Sequence, residues 1–220
     1  MDSIKKNNIA FTLIELLVVV ALVSMLACLL APALSGARES ASQAKCINNL
    51  RQIHLALTTY YSDNNENMPQ CRSSSIFPWW TTLQPYFGVP ADRWGARSSV
   101  ILCPINEKLF ARTWQPSKDV RCTYVFTAAM SRMNGSSDQT NFKPLSAFKS
   151  QNKIIVGECA PEWGVLYSGF AYPLWPGTWN ASQFSFCHKK RMNSLYLDGH
   201  VDSIDSATLS SNYHELCDDL

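Results

Sequence analysis

Residues Phe11 to Leu34 read FTLIELLVVVALVSMLACLLAPAL, a run of 24 positions whose strongly polar member is Glu15. About 20 apolar residues suffice to cross a bilayer as a helix, so this block can span one. A carboxylate inside such a span costs roughly 2.5 to 3.5 kcal/mol at its centre and less near an end, so Glu15 calls for a partner. The short polar segment Met1 to Ala10 carries Lys5 and Lys6, and positive charge beside an apolar run tends to stay cytoplasmic. Arg38 and Lys45 on the other flank weaken that asymmetry. Pro32 and Gly36 are expected either to kink the helix or to end the span.

Beyond the block, Ala37, Ala41, Ala44, Ile47, Leu50, Ile53, Leu57 and Tyr60 recur every three or four residues, which predicts one apolar stripe on a helix. Arg38, Glu39, Gln43, Lys45, Asn49, Arg51 and Gln52 are assigned to its polar faces. The predicted helix runs from about Phe11 to about Tyr61, roughly 75 Å at 1.5 Å per residue. The turn formers of Ser62 to Pro69 end it. From Gln70 onward, short β-branched runs alternate with Pro, Gly, Ser and Asn clusters. Strands are predicted over 120–127, 153–158, 183–187, 194–197 and 200–204, with a tight turn at Asp198-Gly199. The fold class is α+β: a long N-terminal helix packed on a small antiparallel sheet with long loops. Four segments follow: 1–10 a leader, 11–34 a transmembrane half-helix, 35–64 an amphipathic half-helix and 65–220 an exported domain.

Ala10-Phe11-Thr12-Leu13-Ile14-Glu15, with its basic leader and apolar span, resembles the processing site of type IV pilins and type II secretion pseudopilins. Ala10 departs from the glycine that usually precedes the cut in that family. The resemblance implies cleavage between Ala10 and Phe11 by a prepilin peptidase and methylation of the new Phe11 amine. It also implies a role for Glu15 in assembly, its carboxylate answered by the Phe11 ammonium of a neighbouring subunit. Lys45-Cys46-Ile47-Asn48-Asn49-Leu50, Cys103-Pro104, and His188 followed after nine residues by Asp198-Gly199 resemble one bacterial subgroup of these proteins. The family's fold is pilin-like. Its members are structural and not enzymes, and they work with copies of themselves or other pilin-like subunits, an inner-membrane assembly platform and membrane lipid. Location at the inner membrane is implied, single-pass, with the N-terminus cytoplasmic and the domain periplasmic or extracellular. Major or minor subunit, and secretion system or pilus, stay open.

Other readings compete for the same residues. Ala31-Pro32-Ala33 has the small-x-small form of a signal peptidase site, and Met25-Leu26-Ala27-Cys28 loosely resembles a lipoprotein box. Seven Trp, at 79, 80, 94, 114, 163, 175 and 179, suit either a core or a stacking platform. The platform would make the chain an anchored binding module, with carbohydrate as the ligand class. A net charge of +2 with 16% charged residues forms no phosphate-tracking stripe, so nucleic acid is not expected.

No catalytic or cofactor-binding residues are assigned. His188 and Asp198 read as a structural pair on a hairpin. No metal ligand set is assigned either; the resemblance to pseudopilins implies calcium as a candidate, with Asp198 and Asp202 as first donors and Asp205, Asp218 and Asp219 also supplying oxygens, although no EF-hand-like spacing accompanies them. Of eight cysteines, Cys28 lies in the apolar helix. That leaves Cys46, Cys71, Cys103, Cys122, Cys159, Cys187 and Cys217, an odd number on the exported side. The subgroup's motifs make Cys46 with Cys103 the first candidate disulfide. Without a Cys-x-x-Cys, a zinc ribbon or thioredoxin-like site is disfavoured.

Overall fold

A computed structural model describes residues 12–67, 69, 79–89, 98–113, 122–126, 148, 150–160 and 184–217. The chain divides into two compact units, Met1–Ala41 and Ser42–Leu220. Helix α1 spans Leu13–Asp63, 51 residues, and includes Pro32 and Gly36. Pro32 has no N–H to give to the preceding turn. The helix continues through it, and the Ser35 hydroxyl donates to the Pro32 carbonyl at 2.9 Å.

In the first unit the apolar side chains face outward. Leu13 is 81% exposed and Leu29 68%, and the span's most apolar 18-residue window is 0% buried with a mean hydropathy of 2.9. By length and composition this helix can cross a membrane. A helix with apolar residues on every side needs an apolar surrounding beyond its own chain.

The second unit holds the core. Cys46, Leu50, Ile53 and Leu57 of α1 are fully buried and cluster with Phe126, Ile154, Val156 and Leu195. The buried face therefore begins at Cys46; Ala37, Ala41 and Ala44 of the predicted stripe are exposed, and Ile47 is half-buried. Asn49, assigned to a polar face, is instead buried. Its amide donates to the carbonyls of Ser99 at 3.0 Å and Leu102 at 2.9 Å, which is what lets a polar side chain sit in the core.

Four strands follow as an antiparallel meander in chain order: β1 Tyr124–Phe126, β2 Ile154–Glu158, β3 Arg191–Tyr196 and β4 Val201–Asp205. β1 and β2 are buried throughout, β3 is buried after its first residue, and β4 alternates towards solvent. β3 starts three residues earlier than predicted. The strand predicted over 183–187 is reduced, in its described part, to an isolated bridge between Phe184 and Cys159. A second bridge, His188 to Arg191, closes a two-residue turn at Lys189 and Lys190, both with positive φ of 53° and 65°. Helices α2 (Trp79–Thr82), α3 (Pro104–Thr113), α4 (Ser206–Ser211) and α5 (Tyr213–Cys217), with 3-10 turns at Gln84–Phe87 and Ser99–Ile101, complete the described elements. Asp205 caps α4, accepting from the Thr208 N–H at 2.9 Å.

Candidate functional site

Two sets of predicted residues have defined surroundings. At the start of α1, Thr12 and Glu15 stand in N-cap and third-helical positions. The Thr12 N–H and hydroxyl both donate to Glu15 Oε2, at 2.8 and 2.7 Å, and the Glu15 N–H donates to Thr12 Oγ1 at 3.3 Å. This is a capping box, whose Thr-x-x-Glu spacing is visible in the sequence. Ala10 and Phe11 lie outside the described residues.

Residues 5–30 match the family model described as the prokaryotic N-terminal methylation motif. The chain carries a prokaryotic N-terminal methylation motif. It is also 38% identical over 61 residues to the type II secretion system core protein G of Aeromonas hydrophila. That stretch is 28% of this chain and 43% of the relative, so the chain spans less than half of the relative's length. No solved structure matches.

The second set lies inside the second unit, where the structure gathers Cys46, Cys103 and His188 and adds Glu158. One ligand-type atom from each falls within 4.8 Å of all the others, and all four residues are buried. Cys46 Sγ lies 2.6 Å from Cys103 Sγ, and Cys103 Sγ lies 3.3 Å from His188 Nε2. His188 Nε2 meets Glu158 Oε1 at 2.7 Å, with both side chains fully enclosed. Glu158 Oε2 accepts from the Asn193 N–H at 3.1 Å and from the Cys187 thiol at 3.7 Å.

Each member is held by its backbone. Cys46 belongs to α1, where Asn49, one turn on, grips the Leu102 carbonyl next to Cys103. The Cys103 N–H donates to Thr123 Oγ1 at 2.6 Å, and Pro104 opens α3 directly after it. A proline suits the first helical position because the N–H it lacks has no intrahelical partner there. Glu158 ends β2, and His188 opens the Lys189-Lys190 turn.

Burial opposes a deprotonated Cys103, but its contacts with Cys187, Cys46 and His188 outweigh it and hold the thiol well below its usual range. The contact with Cys103 and then burial push Cys46 the other way. Burial likewise opposes a charge on His188, yet Cys103 and Glu158 lift it to about 10. Burial pushes Glu158 up to about 8. Both partners cannot hold the extra proton in a 2.7 Å contact; the direction we adopt is upward for His188, with the proton on the ring and Glu158 answering its charge.

Asp198 takes no part in this cluster. It accepts from the His200 N–H at 3.0 Å and contacts His200 Nδ1 at 2.5 Å, so it is not the partner of His188. Asp202 is the exposed residue of β4, its Oδ1 taken by the Ser203 N–H at 2.7 Å. Gly199, with φ of 91°, turns β3 into β4 and packs on the His54 ring of α1; a Cβ there would sit 2.7 Å from His54 Cδ2. Trp79 and Trp80 are 1% exposed, and Trp79 stacks on Phe126 with centroids 4.1 Å apart. These two indoles are core. The other five Trp, and Cys71, lie outside the described residues.

Proposed function

We propose that the chain is a pilin-like structural subunit, cut before Phe11, methylated there and polymerised at the inner membrane into an extracytoplasmic filament of the type II secretion or type IV pilus kind. The observation that carries this reading is a coincidence of place. The methylation motif of residues 5–30 overlaps an apolar helix unburied by its own chain, and that helix has a carboxylate at its third position. Helix capping would serve any anchor, whereas a filament core gives the carboxylate a second use, because the terminal ammonium of another subunit offsets the cost of burying it.

On this reading residues 1–10 are the cytoplasmic leader, 11–34 the membrane-stored half-helix, 35–64 its amphipathic continuation and 65–220 the domain outside the membrane. A prepilin peptidase removes the leader, and the assembly platform feeds the subunit to its own copies or to other pilin-like subunits. Before assembly, lipid covers the apolar half-helix; afterwards, neighbouring helices do. The experiment is substitution of Glu15 by Val. The variant is expected to insert in the membrane at the normal level and to be lost from cross-linked oligomers. Unchanged incorporation of the variant sinks the reading.

A further inference from the structure

We propose that Cys46, Cys103, His188 and Glu158 form a buried site for a single zinc-class divalent metal ion. Two thiolates, one imidazole nitrogen and one carboxylate oxygen are donors that four-coordinate zinc accepts. They come from four separate places in the chain, and sequence distances of 57, 85 and 30 residues separate the contacting pairs. Such a meeting needs the fold, which is why no short Cys-x-x-Cys spacing announces it.

The case rests on what shares one small enclosed volume. A disulfide between Cys46 and Cys103 would account for the two sulfurs alone. It would leave the fully enclosed His188 and Glu158 side chains as an ion pair packed beside an apolar S–S bond. Burying ionisable groups costs several kcal/mol per ion unless the charges are answered, and two thiolates with a carboxylate are answered by a dication.

The donors are also aimed. Glu158 Oε2 is occupied by the Asn193 N–H and the Cys187 thiol, which leaves Oε1 facing His188 Nε2. His188 turns Nε2 towards Cys103 and Glu158. The Asn193 and Cys187 groups on Glu158 Oε2 fix that ligand's orientation, as outer groups around a metal centre do. On binding, the sulfurs move apart from 2.6 Å to about 3.8 Å, the separation set by two zinc–sulfur bonds of about 2.3 Å at a tetrahedral angle. Metal binding displaces to solvent the Cys46 thiol proton and the proton that His188 holds at Nε2, with no redox step.

The test uses the full chain, purified in detergent under reducing conditions and desalted after addition of zinc or cobalt alone. The site predicts one retained equivalent of metal. It also predicts a thiolate-to-cobalt charge-transfer band with the intense visible bands of a four-coordinate ion. Unfolding with an alkylating agent but no reductant should then label both Cys46 and Cys103. Cys103→Ser should lose the charge-transfer intensity while circular dichroism reports the fold; if that variant does not fold, the wild-type spectrum and stoichiometry still decide. A reduced, folded chain that retains no metal overturns the proposal. So does recovery of Cys46 and Cys103, from protein isolated without reductant, as one disulfide-linked peptide pair.

Discussion

Thr12 and Glu15 satisfy each other at the first turn of α1, the threonine N–H and hydroxyl both on Glu15 Oε2 and the Glu15 N–H on Thr12 Oγ1. Two roles thus fall on one carboxylate: closing the helix end within a subunit, and offering charge to another. A glutamine keeps the first and loses the second, since capping boxes accept Glu or Gln. Glu15→Gln is therefore expected to preserve helix content and membrane insertion while lowering cross-linked oligomer by about tenfold, as loss of roughly 1.4 kcal/mol per contact would give. Gln at wild-type yield would assign Glu15 to the cap alone.

Gly199 is required twice over. Its φ of 91° disfavours any side chain, and a Cβ would overlap the His54 ring. Gly199→Ala should lower stability by about 2 kcal/mol or more. Adding His54→Ala should restore only the part due to overlap. Thermal unfolding of the full chain in detergent, for the two single variants and the double, measures both parts.

His54 itself sets a pH dependence. Burial lowers its pKa below the ordinary 6.5, and the nearby Asp198 carboxylate opposes that shift without cancelling it. The unfolded chain then binds the proton more readily, so the contribution is full above pH 6.5 and is lost as pH falls from 6.5 through the folded-state value. Unfolding midpoints measured from pH 7.5 down to about 5 should fall less steeply for His54→Asn than for the wild type. Parallel curves would remove His54 from the account.

The turn that presents His188 is built from lysines in a conformation glycine adopts freely. Lys190 has φ of 65°, at a cost of about 1 kcal/mol or more for a residue with a Cβ. Lys190→Gly should stabilise the domain by about 0.5–1 kcal/mol, reduced somewhat by the added freedom of the unfolded chain. A lower unfolding midpoint would mean that the Lys190 side chain has a role beyond this geometry.

How much could be read beforehand depended on whether a feature was local. The apolar block and the stripe from Leu50 to Tyr60 carry their own periodicity, and α1 lies within two residues of its predicted ends. The Asp198-Gly199 turn carries its own residue chemistry. Polarity alone assigns Asn49 to an exposed face, and the structure buries it because the carbonyls of Ser99 and Leu102 arrive from 50 and 53 residues away. Cys46, Cys103 and His188 were visible as motif residues. Their meeting was not, and Glu158 gave no signal beyond the end of a strand. His188 and Asp198 read as a hairpin pair in the sequence, but they lie at opposite ends of β3, and it is β2 that brings Glu158 to His188.

The account's central claim is that the apolar helix is stored as a precursor and released with Phe11 at its head. Terminal sequencing with intact mass measurement, on protein from a host that has the peptidase, tests it most directly. The predicted result is a chain that begins with N-methylated Phe11. A mature chain that begins at Met1, Cys28 or Leu34 would contradict it.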